Sequence, residues 1–297
     1  MQEYATKYWT PARQPRSIGT APLAFVSSGE LISDSHDSQP GHFRVLVEHF
    51  SAFGCLSAAE TRLLGDLAEA ARYHPPYRDL YVAGAPPPPP RMVVAGWACQ
   101  YRLLPDGHRQ IISLKLPGDL IWPLMPVRLP SSCAVAALTE LETVSAQPLI
   151  EAATAADPVH PGIAHAIRVM AHLHDMLLCD QIVRLGRQTA GGRFAHLMLD
   201  LRERLDRVGL VKNGSFAMPL TQDVLADVLG FSVVHVNRTV QQLRRDGLLD
   251  VRNGMVTLMQ PSALQDMAGW APLLGAPTGA KAAKHYSPAE RRTKNER

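Results

Sequence analysis

The sequence predicts an α+β fold in three consecutive parts: an antiparallel β-roll, a long helix and a C-terminal winged helix-turn-helix. Three features of the chain support this prediction. Short β-prone runs separated by turn residues fill roughly residues 80–145, and a sustained helical stripe begins at Pro161. Two short helices around Gly230 then precede an Asn-Gly hairpin.

The same patterns divide the chain into five segments. We expect residues 1–40 to be a disordered polar extension and residues 273–297 a disordered basic tail, because neither stretch shows a sustained period. Between them we expect a β-roll over 41–157, a dimerisation helix over 158–186 and a winged helix-turn-helix over 187–272.

Composition limits the class of protein. The 297 residues are 46% hydrophobic and 19% charged, as in soluble globular domains, and no run approaches the roughly 18 apolar residues of a membrane helix. The first residues lack the apolar core of a secretory signal, so we expect a cytoplasmic protein with no membrane partner. A net charge of +3 does not by itself indicate nucleic-acid binding.

The N-terminal half changes from helical to β periodicity. A helical pattern runs from Phe43 to Tyr73, and turns are expected at Pro105-Asp106-Gly107 and Pro117-Gly118-Asp119. The β-prone runs are Tyr81-Val82, Met92–Val94, Trp97–Leu103, Ile111–Leu114, Leu120-Ile121 and Leu141–Val144. Several short strands at this spacing favour a small antiparallel roll.

A long helix is predicted from Pro161 to about Gly186, followed by another over about Gly192 to Val208. The apolar residues of the first of these helices follow a 4-3-4-3 spacing, which is typical of a coiled-coil seam. The seam predicted to contact a partner copy consists of Ile163, Ile167, Met170, His174, Leu177 and Leu178. Packing of part of this stripe against the chain's own roll is the alternative.

The stretch Leu220–Leu249 contains the strongest motif. Thr221 is placed to cap a first helix, Gly230 ends it with a positive φ, and Ser232 caps a second helix. The inward positions are Val224, Leu225, Val228 and Leu229 in the first helix and Val236, Val240 and Leu243 in the second. The Asn253-Gly254 turn predicts a β-hairpin wing. This is a winged helix-turn-helix, which indicates binding to duplex DNA.

The outward face of the second helix should read base edges near its N-terminus. The residues predicted to contact DNA are Thr221, Gln222, Ser232, Val233, Val234, His235, Asn237 and Arg238. Valine has no hydrogen-bonding group, but it can contact the methyl group of thymine.

The segments LPDGHRQIISLKLPGDL (Leu104–Leu120) and PLTQDVLADVLGFSVVHVNRTVQQLRRDGLL (Pro219–Leu249) resemble the Crp/Fnr family, and the second is similar to its VHVNRT-type branch. The resemblance runs from about Phe43 to Trp270. It implies a cyclic-nucleotide-binding-like roll and a homodimeric transcription regulator on an inverted-repeat operator, with RNA polymerase as a partner if the protein activates. It also implies that Arg238 recognises guanine and that Thr221 and Gln222 hold phosphates.

The sequence departs from the nucleotide-binding members of this family. Where they carry a Gly-Glu pair and an Arg-Ser pair around the cyclic phosphate, this chain has Trp122-Pro123 and Ser131-Ser132. Without the arginine, a buried cyclic phosphate lacks its counter-charge. We therefore expect no control by cyclic AMP, and the sequence names no other effector.

Other site classes find little support. The catalytic patterns of hydrolases, phosphate-binding loops and metalloproteases are absent, so neither an enzyme nor a bound cofactor is expected. Cys99 and Cys133 are more typical of buried thiols than of redox centres. The stripe of His165, His172, Asp175 and Cys179 leaves a metal- or redox-responsive regulator open as an alternative, and the valines leave open an adaptor that has lost specific DNA binding.

Overall fold

The computed structural model describes residues 41–86, 88–121, 131–155 and 159–274. The predicted disordered extension and all but the first two residues of the predicted basic tail lie outside the described residues, as do Trp122 and Pro123. Within the described residues the predicted order of β-roll, long helix and winged helix-turn-helix is confirmed.

The N-terminal helical stretch consists of two helices. Helices α1 (Gly41–Ser51) and α2 (Ala58–Glu69) are followed by strand β1 (Arg72–His74), although the predicted helical pattern ran to Tyr73. The physical reason is a capping box. The Ser57 hydroxyl accepts from the Glu60 amide and the Glu60 carboxylate accepts from the Ser57 amide, which starts a new helix.

The roll consists of two antiparallel sheets. Their remaining strands are β2 (Asp79–Tyr81), β3 (Arg91–Ala95), β4 (Ala98–Leu103), β5 (Arg109–Lys115), β6 (Ala134–Ala137) and β7 (Leu141–Ser145). The strand orders are β1-β7-β3 and β2-β6-β4-β5. Strands β1 and β6 were not predicted, and Leu120 forms only an isolated bridge to Met92. The alanine-rich β6 was missed because alanine carries a weak β signal.

Helix α3 (Gln147–Thr154) leads to the long helix α4 (Pro161–Arg187). Ile163, Ile167 and Met170 are buried in the chain's own core, packed with residues of α1, α2 and β3. The prediction that these three residues contact a partner copy is therefore wrong. The predicted alternative, packing against the roll, accounts for them.

The rest of the predicted seam is half-buried. His174 lies near Lys115, whose charge, together with burial, lowers the pKa of His174 to about 4, so the imidazole is neutral at pH 7. Leu177 and Leu178 line a small cavity of about 30 Å³ that also touches Leu197 and Val228. Part of each of these three side chains remains accessible, so their contact with a partner copy stays a prediction.

The opposite face of α4 is largely exposed, with Val169 and Met176 half-buried, and has its own 4-3-4-3-4 spacing. We call it the outer seam, and its residues are His165, Val169, His172, Met176, Cys179 and Val183. Val183 is 51% exposed, and the neighbouring Ile182 is 71% exposed. Large apolar side chains at this exposure on a long helix are typical of a surface that packs against another helix.

The C-terminal part begins with α5 (Ala190–Asp206), which only two residues separate from α4. It continues through β8 (Val211–Lys212), β9 (Ser215–Ala217), α6 (Gln222–Leu229), α7 (Val233–Arg245), β10 (Leu249–Arg252), β11 (Met255–Leu258) and α8 (Pro261–Ala268). The four strands form one antiparallel sheet in the order β10-β11-β9-β8. No helix among the residues that the structure describes has the length and apolar character needed to span a membrane.

The roll and the C-terminal part share a continuous hydrophobic core. Side chains of β4 and β5 pack in the same cluster as those of α5, α6 and α7. At the surface of this junction, Arg109 of β5 pairs with Asp227 of α6 at 2.7 Å. Gln110 donates to the Asp227 carbonyl at 2.7 Å, and Gln181 of α4 donates to the Val228 carbonyl at 2.8 Å.

These contacts supply partners to the last carbonyls of α6, which have no partners within the helix itself. Burial raises the pKa of Asp227, and the Arg109 guanidinium partly offsets this effect. The first helix of the helix-turn-helix is therefore oriented by side chains from both the roll and the long helix.

Candidate nucleic-acid interface

Helix α6 packs against helix α7 and is capped at both ends. The Thr221 hydroxyl accepts from the Val224 amide at 3.2 Å, and the helix ends at Gly230, whose φ is +66°. Its predicted inward residues Val224, Leu225, Val228 and Leu229 are all buried. Both helix ends and the buried face therefore confirm the sequence-based interpretation.

Helix α7 is fixed in the same manner. The Ser232 hydroxyl accepts from the His235 amide at 3.3 Å. Val236 and Leu243 are buried, and Val240 packs against the same core, as predicted. Because this face of α7 packs against the core, the opposite face points towards solvent.

The solvent-exposed face carries Ser232, Val234, His235 and Arg238. Val234 is 60% exposed despite its apolar side chain. The Arg238 guanidinium has no hydrogen bond or ion pair among the described residues. An unpaired cation beside an exposed valine is suited to a surface that carries both anionic phosphates and thymine methyl groups.

Two of the residues predicted to contact DNA also make contacts within the protein. Val233 is half-buried and packs against the domain core, so only part of its side chain is accessible, and its contact with a base stays a prediction. It lies one residue, or about 100° around the helix, from Val234. Asn237 is also half-buried, and its amide donates to Gln222 Oε1 at 2.6 Å. That bond joins α7 to the start of α6.

A stacked trio orients the turn between the two helices. The rings of Phe231 and His235 lie 4.5 Å apart and are parallel to within 6°. The Arg193 guanidinium lies 4.7 Å from the Phe231 ring and donates to the Leu229 carbonyl at 3.1 Å. His235 is thus an exposed residue whose ring is held in place by stacking on Phe231.

The sequence interpretation missed two further polar residues on the exposed face. Gln241 and Arg245 are exposed and follow Arg238 at i+3 and i+7, so they continue its stripe along α7. Arg245 donates to Gln242 Oε1 at 2.8 Å. Helical spacing from Arg238 was the available signal for both.

The predicted wing is confirmed. Strands β10 and β11 pair in antiparallel register around Asn253 and Gly254, whose φ angles are +48° and +74°. A second hairpin, β8–β9, turns at Asn213 and Gly214 with φ of +51° and +75°. It carries the same Asn-Gly signal, which sequence reasoning overlooked because its strands are only two and three residues long.

In the roll, the residues expected to face a cyclic phosphate carry no charge. Ser132 is exposed, and the Ser131 hydroxyl accepts from the Cys133 amide at 3.0 Å. The Asp119 carboxylate of the Pro117-Gly118-Asp119 turn accepts from the Leu116 amide at 2.7 Å and pairs with Arg204 of α5. That turn therefore serves as a contact between the roll and α5.

The two cysteines of the roll differ in their surroundings. Burial raises the pKa of Cys99 to about 12, so its thiol is protonated at neutral pH and a poor nucleophile. Cys133 is half-buried, with its sulfur 3.8 Å from the Ser132 hydroxyl. Along α4, His165, His172, Asp175 and Cys179 remain spread over the exposed surface. Within the described ranges, these four do not meet as a metal-binding group.

Comparison with known proteins agrees with this geometry. The Crp-like helix-turn-helix domain model matches residues 192–267. Over 182 residues the chain is 30% identical to the nitrogen fixation regulation protein FixK of Bradyrhizobium diazoefficiens, covering 59% of this chain and 72% of FixK. It is 28% identical over 184 residues to the transcriptional activatory protein AadR of Rhodopseudomonas palustris, with coverage of 59% and 72%.

The structure of FixK2 from Bradyrhizobium japonicum aligns with a TM-score of 0.58 at 25% identity. The alignment covers 68% of this chain and 98% of FixK2. The similarity therefore extends through the roll and the long helix as well as the helix-turn-helix.

Proposed function

Because the chain belongs to the Crp/Fnr family of transcription regulators, we propose that it acts as a homodimer that reads an inverted-repeat operator in duplex DNA. The observation that carries this proposal is the exposed stripe of α7. Val234, His235 and Arg238 face solvent there, while the other side of the helix is locked into the core. This is the arrangement that a major-groove reading helix requires.

The polar groups divide into two roles. Arg238 is suited to a bidentate contact with guanine O6 and N7, and Val234 to contact with a thymine methyl group. Thr221, Gln222 and Ser232 lie at the starts of α6 and α7, where they hold register on phosphates. Asn237 acts through its bond to Gln222, which fixes the angle between the two helices.

Dimerisation is proposed through the outer seam of α4. Two parallel copies of the seam bury Val169, Met176 and Val183 against each other and place His172 and Cys179 in the intervening layers. The two-fold axis then sets two α7 helices about one turn of DNA apart, roughly 34–36 Å.

The cellular setting follows from the regulatory role. We propose a cytoplasmic location, since a regulator of this type needs access to DNA. RNA polymerase is a proposed partner, since AadR and the FnrL protein of Cereibacter sphaeroides are named activators. The unpaired, exposed Arg238 argues against the alternative of an adaptor that has lost DNA binding.

Selection of bound duplexes from a random pool, followed by gel-shift titration, tests the proposal. The wild type should enrich an inverted repeat with guanine in each half-site. Replacing Arg238 by alanine should weaken operator binding by about 1–3 kcal/mol per contact and relax the preference at one base per half-site. The lost contact is the bidentate hydrogen bond to guanine.

The matched control is Arg62→Ala, which removes an exposed arginine from α2 on the roll and should leave the consensus unchanged. An identical consensus for wild type and Arg238→Ala would refute the reading role of Arg238. A pool without any enriched sequence would refute specific DNA binding.

A second expected result is that cyclic AMP and cyclic GMP do not bind. Ser131 and Ser132 offer hydroxyl groups but no positive charge, and burying an unpaired phosphate anion is strongly unfavourable. Titration calorimetry at millimolar nucleotide should give no saturable heat, and operator binding should proceed without added nucleotide. A micromolar dissociation constant for either nucleotide would overturn this expectation.

A further inference from the structure

Three side chains that can ligate a metal converge where α4 ends and α5 begins. Asp180 belongs to α4, and His196 and Asp200 are one turn apart on α5. His196 Nε2 lies 3.8 Å from Asp180 Oδ2 and 3.6 Å from Asp200 Oδ1. One ligand atom from each of the three residues lies within 4.8 Å of the others.

The imidazole of His196 is the most informative member of this cluster. The residue is 4% exposed, and its Nε2 has no hydrogen-bond partner. Its distances to the two carboxylates are too long for hydrogen bonds. Two ligands of one tetrahedral ion, at bond lengths of about 2.0–2.2 Å, lie about 3.4 Å apart. The spacing therefore suits a cation between the three groups better than direct contact among them.

A second buried atom without a partner lies next to the first. Gln188 Nε2 is 3.0 Å from His196 Nδ1 and donates to the Ala268 carbonyl at 2.7 Å, while Gln188 Oε1 has no hydrogen-bond partner. A neutral imidazole that gives Nε2 to a metal carries its proton on Nδ1. If the Gln188 side-chain amide rotates by about 180°, Oε1 can accept a hydrogen bond from the protonated Nδ1 of His196. The same rotation breaks the hydrogen bond from Gln188 Nε2 to the Ala268 carbonyl.

The charges around the cluster also favour a cation. Asp180 and Asp200 contribute two negative charges, and Arg184 pairs with Asp200 Oδ2 and contributes one positive charge. Trp270 Nε1 donates to Asp200 Oδ1 at 2.9 Å, which orients the carboxylate. The cluster thus keeps a net negative charge, and the partly exposed Asp180 provides a route from solvent.

We propose that Asp180, His196 and Asp200 bind a first-row divalent cation such as Zn²⁺ and so set the angle between the long helix and the DNA-binding domain. The one-imidazole, two-carboxylate donor set suits such ions. Three protein ligands leave a position for water. For its effect on DNA binding, this inference rests on the proposed function.

The position of the site explains why an ion would matter. Only Gln188 and Thr189 connect α4 to α5, so the two helices meet at a short joint. An ion held by Asp180 on one side and by His196 and Asp200 on the other would clamp that joint. Since α5 packs on α7 and α8, the clamp would act on the reading helix.

The test uses the full chain, freed of metal by a chelator and then titrated with Zn²⁺ by calorimetry and with Co²⁺ by visible absorption. We expect one ion per chain and a Co²⁺ spectrum of low coordination number. Asp180→Asn should lower the affinity at least about tenfold, because it removes one charged ligand at a partly exposed position where the fold should tolerate it. The unfolding temperature should rise with Zn²⁺ in the wild type and much less in the variant.

The matched control is Asp175→Asn, which removes an exposed carboxylate of α4 that lies outside both the cluster and the outer seam and should keep the full affinity. Failure of Asp180→Asn to weaken binding, or loss of binding in Asp175→Asn, would overturn the assignment, as would absence of binding at micromolar Zn²⁺. Gel shifts in chelator separate the two proposals. Equal operator affinity with and without the ion would refute the effect of the ion on the DNA-binding domain and leave the proposed function intact.

Discussion

Val183→Glu should convert the protein from dimer to monomer. Val183 is half-exposed on the outer seam of α4, next to the more exposed Ile182. In a parallel dimer the substitution brings two carboxylates together in an apolar layer, where their desolvation and mutual repulsion oppose association. Light scattering coupled to size exclusion should show the mass of one chain, and operator affinity should fall because a monomer binds only one half-site.

Val159→Glu is the matched control. The substitution is identical, but Val159 is 85% exposed and precedes α4, so the dimer should persist. Met170, by contrast, is a poor probe, because it is buried in the roll and a charge there would disrupt the protomer itself. A Val183→Glu protein that still has the mass of two chains would contradict dimerisation through the outer seam.

Arg184→Met should be the most destabilising single substitution at the joint between α4 and α5. Arg184 and Asp200 form an ion pair in which both side chains are only 4% exposed. Removing the guanidinium leaves the buried carboxylate with Trp270 as its hydrogen-bond donor. Breaking such a pair costs about 3–5 kcal/mol, which urea unfolding at fixed protein concentration in the presence of chelator should detect.

The comparison variant is Arg187→Met, which makes the same change three residues further along α4 at an exposed position. Its free energy of unfolding should stay within about 0.5 kcal/mol of the wild type. A loss below about 1 kcal/mol for Arg184→Met would mean that the carboxylate of Asp200 finds compensation from water or from His196.

Much of the winged helix-turn-helix could be predicted because its sequence signals are local. The caps at Thr221 and Ser232, the positive φ of Gly230 and the Asn253-Gly254 turn each depend on residues only a few positions apart. Such interactions form within one segment and need no distant partner. The exposure of Arg238 and Val234 follows from the same helical period once the buried face is known.

Strands β6 and β1 were not predicted, because each forms by pairing with strands that are distant in the sequence. Ala134–Ala137 becomes a strand because it pairs with β2 on one side and β4 on the other. Arg72–His74 ends a helical pattern because it pairs with β7, about 70 residues away. For such segments tertiary pairing overrides the weak intrinsic preference.

The sequence alone determined that the chain carries a β-roll, a long amphipathic helix and a winged helix-turn-helix with Arg238 on the exposed face of its second helix. Only the tertiary structure decided which face of α4 is free, because periodicity identifies an apolar stripe but not what covers it. It likewise brought Asp180 to His196 and Asp200, since a sharp joint at Gln188 and Thr189 folds one helix against the next. Spacing along the chain cannot reveal contacts made across such a joint.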